Sequence, residues 1–264
     1  MSRPAGLPDF RKPPLIEVVV GVQFDVPRGY ESFRAYQVWQ LFSANFPEIQ
    51  ELPPLQPTFE TFGLPVGPPF GFAVGPLASR LWFLSPARDE LIQFQSDRLL
   101  HNWRKVGDHE YPRFERIASK FADELEKLER FFASLHPQAL LVRQCEVSYV
   151  NHIWVPGPNT LRVADWLSFI SFPAPEPDDF TATFRRTILS PSGQPQGRLI
   201  CEGATALDPD GKRFVSLTLT ARGAPTSPDK ERALEFLARG HQIICETFVE
   251  VTTDSAQKEW ERIQ

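Results

Sequence analysis

Glu17-Val18-Val19-Val20-Gly21-Val22-Gln23-Phe24 opens the first half of the chain, and Glu146-Val147-Ser148-Tyr149-Val150-Asn151-His152-Ile153 opens the second. Each begins at a glutamate and continues as a run in which apolar and polar side chains alternate. The first stretch extends from Leu15 to Val26. It places Ile16, Val18, Val20, Val22, Phe24 and Val26 on one face, and Glu17, Val19, Gly21, Gln23 and Asp25 on the other. A period of two predicts a half-buried strand. The second stretch predicts a strand from Leu140 to Trp154. Two such openings suggest an internal duplication, and the groove between two copies of one unit is a natural binding place.

Outward from the first strand, Pro27-Arg28-Gly29 breaks the pattern. Tyr30 to Phe46 then carries Phe33, Tyr36, Val38, Trp39, Phe42 and Phe46 at helical spacing, up to Pro47. A Pro/Gly-rich stretch from Leu52 to Pro76 follows, with a short strand expected at Phe59-Glu60-Thr61-Phe62. So long a connection is often functional, and it reads either as a lid or as a collar packed on the sheet. Strands are predicted at Arg80–Leu84, Glu90–Gln95 and Leu99–Lys105, although Gln95-Ser96-Asp97-Arg98 equally fits a bulge in one long strand. Pro112 introduces a helix through Phe132 with an apolar stripe of Phe114, Ile117, Phe121, Leu125, Leu128 and Phe132.

The second half repeats this order. A helix is expected from Thr160 to Phe172, then strands Phe180–Leu189, Gly197–Leu207 and Arg213–Ala221, the last two joined by the turn Asp208-Pro209-Asp210-Gly211. Ser227 as N-cap and Pro228 as first helical residue start a final helix that runs to about Val249, interrupted at Gly240. Arg34 and Trp39 echo Arg162 and Trp166, Leu84-Ser85-Pro86 echoes Leu189-Ser190-Pro191, and Glu90-Leu91-Ile92 echoes Arg198-Leu199-Ile200. The expected class is α+β: two tandem β-α-β-β-β-α repeats, residues 1–137 and 138–264, related by pseudo-two-fold symmetry, with antiparallel sheets and helices on one face. The alternative is two unrelated α+β domains meeting near residue 138.

The composition, 42% hydrophobic and 23% charged over 264 residues, is that of a globular protein able to bury a core without metal or disulfide staples. A net charge of −5, with basic residues interleaved among acidic ones, argues against nucleic acid as partner. Cys145, Cys201 and Cys245 are an odd, widely spaced set without CxxC, read as small buried residues in a reducing cytoplasm. The start lacks an apolar signal region and no stretch reaches the roughly 20 apolar residues of a membrane span, so no membrane partner is expected.

The runs Pro13-Pro14-Leu15-Ile16-Glu17-Val18-Val19-Val20-Gly21-Val22-Gln23-Phe24, Leu91-Ile92-Gln93-Phe94-Gln95-Ser96-Asp97-Arg98-Leu99-Leu100-His101-Asn102-Trp103-Arg104-Lys105, Tyr111-Pro112-Arg113-Phe114 and Gln144-Cys145-Glu146-Val147-Ser148-Tyr149-Val150-Asn151-His152-Ile153 combine uncommon residues over long stretches. In these the chain resembles a sporadically distributed, functionally uncharacterised bacterial family of about this length. The resemblance spans almost the whole chain and implies no reaction.

Two polar clusters are the candidate ligand-binding residues. The first is Gln93, Gln95, Asp97, Arg98, His101, Asn102 and Arg104; in a continuous strand Gln93, Gln95, Asp97 and His101 share a face with Leu91, Leu99 and Trp103. The second is Arg143, Gln144, Glu146, Tyr149, Asn151 and His152, with Gln144, Glu146, Ser148 and His152 on one face and Arg143, Tyr149 and Asn151 on the other. An unpaired buried polar group costs about 1–3 kcal/mol, so these residues form either a register-fixing network or a binding site. Glu146 with His152, or Asp97 with His101, would serve as acid and base in an enzyme. No phosphate loop, GxGxxG, HExxH or nucleophile elbow accompanies them, and His241 with Cys245 makes only half a zinc site, so no cofactor or metal is expected. Three functions fit: a binding module for a small molecule or protein segment, an accessory immunity or defence component, and an acid–base enzyme.

Overall fold

The alternating run around Glu17 becomes a central strand. The computed structural model describes residues 6–63, 79–154, 162–172 and 177–264. In the first half the elements are β1 (Leu15–Phe24), α1 (Ala35–Gln40), β2 (Glu48–Leu52), β3 (Arg80–Leu84), β4 (Glu90–Gln95), β5 (Arg98–Arg104) and α2 (Phe114–Leu135). In the second they are β6 (Val142–Trp154), β7 (Thr181–Leu189), β8 (Pro195–Leu207), β9 (Arg213–Gly223), α3 (Lys230–Val251) and α4 (Asp254–Glu259).

Among the described residues nine strands join one antiparallel sheet in the order β2-β3-β4-β5-β1-β6-β9-β8-β7. The two opening strands therefore pair with each other, Val20 opposite Val147 and Val19 opposite Ser148. In each half the first strand lies beside the last strand of that half, β1 beside β5 and β6 beside β9.

Helices α2 and α3 contact each other and cover one face, α2 over β5 and β1, α3 over β6 and β9. Between sheet and helices sits the core: Val18, Val20, Val22 and Phe24 meet Phe121, Leu125 and Phe132, while Val147, Leu219 and Ala221 meet Phe236, Leu237 and Ile244. Each buried Phe contributes about 1.5–3 kcal/mol, and the α2 stripe Phe114, Ile117, Phe121, Leu125, Leu128 and Phe132 is buried as its spacing predicts. Gly240 lets α3 approach the sheet: a Cβ there would stand 3.1 Å from Ala221 Cβ and 3.5 Å from Val147 Cγ2. Among the described residues no helix is long and apolar enough to cross a membrane.

Several expectations are corrected. Tyr30–Phe46 is not one helix but a 3-10 turn at Ser32–Arg34, the short α1 and further turns; Phe33 and Tyr36 are 74% and 59% exposed, leaving Val38, Phe42 and Phe46 as the inward residues. Neither the turn nor α1 has a side-chain N-cap to stabilise a longer helix. Phe59–Phe62 belongs to no strand, because the neighbouring prolines remove ladder donors; the additional strand is β2. The described part of Thr160–Phe172 holds a 3-10 turn at Val163–Asp165 rather than a helix, with Thr160 and Leu161 outside the described residues. With β2 set aside, the strands of the two halves lie in corresponding order, β1-β5-β4-β3 and β6-β9-β8-β7, but neither half has the expected β-α-β-β-β-α pattern. Asp229, not Ser227, caps α3, accepting from the Arg232 N–H at 2.9 Å. The Leu91-Ile92 and Leu199-Ile200 echo is a one-residue slip, since Ile92 and Leu199 enter the helix-side core while Leu91 and Ile200 lie on the opposite face.

Candidate functional site

The face of the sheet away from the helices is where most of the polar residues gather. Cross-strand partners share a face, so the register places Glu17, Gly21 and Gln23 of β1 beside Arg104, Leu100 and Arg98 of β5, and beside Glu146 and Gln144 of β6. Arg222 of β9 stands opposite Glu146, and Gln93 and Gln95 of β4 lie opposite Leu100 and Arg98.

The β4–β5 connection is a two-residue hairpin loop, Ser96-Asp97, with Gln95 opposite Arg98. That reversal corrects the continuous-strand row. Gln93 and Gln95 share the open face with Arg98, Asn102 and Arg104, whereas Leu99, His101 and Trp103 turn to the helices.

A hydrogen-bond chain runs across the open face. Arg80 Nη1 and Trp82 Nε1 donate to Gln93 Oε1 at 3.1 and 3.0 Å, Gln93 Nε2 donates to Asn102 Oδ1 at 2.8 Å, and Asn102 Nδ2 donates to Glu17 Oε1 at 2.7 Å. Arg104 sits over the Trp82 ring at 5.6 Å and donates to the Arg88 carbonyl at 3.2 Å. Asp97 collects Arg98 through two bonds of 3.1 and 3.0 Å, Gln95 Nε2 at 3.0 Å and Gln23 Nε2 at 3.3 Å.

Residues 53–63 lie across this face. Gln95 grips the Leu55 backbone, Glu60 pairs with Arg198 at 3.1 Å and Arg222 at 2.9 Å, and Arg198 donates to the Thr61 carbonyl at 2.8 Å. This part of the Pro/Phe-rich loop packs on the sheet; residues 64–78 lie outside those described.

Beneath the segment is a cavity of about 220 Å³ walled by Gln23, Arg98, Leu100, Gln144, Glu146 and Arg222 of the sheet, with Leu55, Gln56 and Thr58 above. Gly21 lets Leu100 form part of its floor: a Cβ at residue 21 would fall 2.2 Å from Leu100 Cδ2, so the leucine side chain leans across the glycine. Gln144 is 4% exposed, and its Nε2 is buried without a hydrogen-bond partner. Glu146 Oε2 accepts from Arg222 Nη1 at 3.2 Å.

Of the sequence candidates, Arg98, Gln144 and Glu146 line this cavity, and Gln93, Gln95, Asp97, Asn102 and Arg104 extend it as the neighbouring network. The others lie elsewhere. Arg143 is at the exposed strand end, bound to Asp25 at 2.6 Å and lowering that carboxyl's pKa chiefly through the hydrogen bond. His152 is on the open face six residues along β6 from Glu146, about 20 Å away at strand rise, against Phe214 with ring centroids 4.2 Å apart; burial lowers its pKa.

His101, Tyr149 and Asn151 face the helices. His101 is fully buried with Nδ1 2.9 Å from Glu124 Oε1. Asn151 Nδ2 donates to the Leu217 carbonyl at 3.1 Å. Tyr149 Oη lies 2.8 Å from both Tyr111 Oη and His241 Nδ1, and burial raises its pKa well above the ordinary phenol range. Tyr149, Asn151, Tyr111 and His241, but not His101, border a second cavity of about 80 Å³ under the amino-terminal segment.

Neither proposed acid–base pair forms, because Asp97 and His101 sit on a loop and on the opposite sheet face, and Glu146 and His152 are separated along one strand. His241 Nδ1 is 3.5 Å from Cys245 Sγ, and among the described residues no set of three or more His, Cys, Asp or Glu gathers as a metal site.

Reading the sequence missed Gln23, Glu60 and Arg222. Gln23 shares the Glu17 face by simple alternation, a usable signal; Glu60 and Arg222 reach the site only through folding of distant segments. Comparison with protein-family models, curated proteins and solved structures returns no match.

Proposed function

We propose that this protein is a binding module that holds its ligand on the open face of the sheet, in the cavity between the β1–β6 centre and residues 53–63. The observation that carries the reading is Gln144: a buried carboxamide whose donor nitrogen has no partner, in the wall of a cavity large enough for several heavy atoms. Leaving such a donor unsatisfied costs about 1–3 kcal/mol, which a bound acceptor would recover. Around it the charges are matched, Arg98 with Asp97 and Arg222 with Glu60 and Glu146. Mass spectrometry of the protein released under native conditions from its host tests this reading: a retained small molecule or peptide that is lost from a folded Gln144→Leu variant supports it, and equal retention by both proteins contradicts it.

The same reading includes descent of the two halves from one duplicated unit about a pseudo-two-fold axis. Aligning the two openings at their glutamates matches Val19 with Ser148, and these residues stand opposite each other. Glu17 opposite Arg104 then corresponds to Glu146 opposite Arg222. The Ser85 and Ser190 turns also correspond. Each serine carbonyl accepts at 2.9 Å, from Arg88 and Gly193, and each hydroxyl accepts from the first residues of the next strand region, Glu90 and Gln194, at 3.1 and 3.2 Å. The cavity lies beside this axis, where the two units meet.

A further inference from the structure

Gln95 displays how the open face handles an amide. Its side chain is 1% exposed, and its carboxamide binds both backbone groups of one residue: the Leu55 N–H donates to Oε1 at 2.9 Å, and Nε2 donates to the Leu55 carbonyl at 3.1 Å. A carboxamide offers an acceptor beside a donor, and the extended backbone of one residue offers the complementary pair. The chain's own segment 53–63 is thus held on this face by two-point pairing to a buried glutamine.

Gln144 is another buried carboxamide on the same face, and its Nε2 has no hydrogen-bond partner, whereas the amide nitrogens of Gln23, Gln93 and Asn102 donate to Asp97, Asn102 and Glu17. The charges around it are already matched. Arg98 is gripped twice by Asp97, and Arg222 is shared by Glu60 and Glu146 at 2.9 and 3.2 Å. A ligand with net charge would enter among paired ions and face an uncompensated desolvation cost, whereas an uncharged one disturbs no pair. Leu55 and Leu100 supply apolar contact for the carbon frame of such a ligand.

Building on the binding function proposed above, we infer that the cavity recognises an uncharged amide, an N–H beside a carbonyl, by pairing it with the Gln144 carboxamide as Leu55 is paired with Gln95. Two sources present this edge: a free small amide and the backbone of an extended peptide.

The test titrates the full chain with three probes of one skeleton: acetyl-alaninamide, acetyl-alanine as its carboxylate, and O-acetyl-lactate methyl ester, which keeps the carbonyls but lacks the N–H. Calorimetry and thermal shift provide the readouts. Acetyl-alaninamide is expected to bind, with affinity at least about tenfold above the other two, equivalent to about 1.4 kcal/mol. Gln144→Leu should abolish that binding while its circular dichroism stays native. A blocked tetra-alanine that binds more tightly than acetyl-alaninamide assigns the peptide source, and one that binds more weakly assigns the small amide.

Equal or tighter binding of the carboxylate, with sensitivity to Gln144→Leu, overturns the uncharged-amide class and leaves the cavity as the site. Binding of acetyl-alaninamide that survives Gln144→Leu overturns both readings. Failure of every amide probe at millimolar concentration overturns the amide class, while a host ligand lost on Gln144→Leu would keep the binding function standing.

Discussion

Glu146 stands directly opposite Arg222 across the β6–β9 ladder, its Oε2 3.2 Å from the guanidinium, and Glu60 of the overlying segment reaches the same guanidinium at 2.9 Å. Arg222 therefore fastens residues 53–63 to the sheet over the cavity. The relationship joins three distant parts of the chain, which is why alternation within a single strand did not reveal it.

Arg222→Met should release that attachment without disturbing the core on the other face. With the arginine side chain 21% exposed, the loss should be about 1–2 kcal/mol, below the roughly 3–5 kcal/mol of a fully buried broken pair. Hydrogen exchange at the Leu55 amide should accelerate. Unchanged protection there would show that Gln95 and Arg198 hold the segment alone.

Gln144→Leu removes a buried donor that lacks a partner and keeps an apolar side chain of similar reach. The ligand-free variant should match or exceed the parent in stability, by up to about 1–3 kcal/mol in urea unfolding. A clear loss of stability would mean that Gln144 serves the fold rather than a ligand. Stability gained at the expense of binding is a pattern that functional sites produce.

His101 gives the fold a dependence on pH. Burial opposes its charged form, but the Glu124 carboxylate, through its field and its hydrogen bond, outweighs burial; Glu90 adds to the rise and Lys120 opposes it, so the pKa is raised. An unfolded histidine titrates near about 6.5. The pair's contribution is therefore complete below about that pH and is lost as pH rises through the higher folded value. Urea midpoints measured from about pH 6 to about pH 9 should decline over this window in the parent and decline less in His101→Gln. Parallel curves for the two proteins would remove His101 as the cause.

Gly240 sets the distance between α3 and the sheet. Alanine there gains up to about 1 kcal/mol of helix propensity against a 3.1 Å approach to Ala221 Cβ, and should leave stability within about 1 kcal/mol of the parent. Valine drives further methyls toward Ala221 and Val147 and should cost about 1–3 kcal/mol or more. Denaturant midpoints of the two variants distinguish this close approach from ordinary propensity.

Strand alternation made much of the architecture legible. Arg80–Leu84 and Glu90–Gln95 match their strands, and the Asp208-Pro209-Asp210-Gly211 turn forms with Gly211 at φ +77° and Asp208 Oδ1 accepting from Lys212 N at 2.7 Å. The α2 stripe was equally plain, because helix periodicity is a local property.

The Gln95–Arg98 region was harder. Its Ser96-Asp97 loop carries no glycine, so a bulged strand fitted the residues equally well, and the choice between the two decided which face His101 would take. Likewise Glu124 on α2, which captures His101, and Gln95, which captures Leu55, meet partners 23 and 40 positions away that no local period encodes. The polar residues of the candidate site were visible as a composition, whereas their division between two sheet faces required the register.

The most direct test is a crystal structure of the protein purified from its own host, viewed at Gln144. Density for a non-protein molecule within hydrogen-bond distance of Gln144 Nε2, under residues 53–63, is the predicted result. A Gln144 nitrogen bonded to a neighbouring side chain or backbone carbonyl, with the cavity closed, would contradict it.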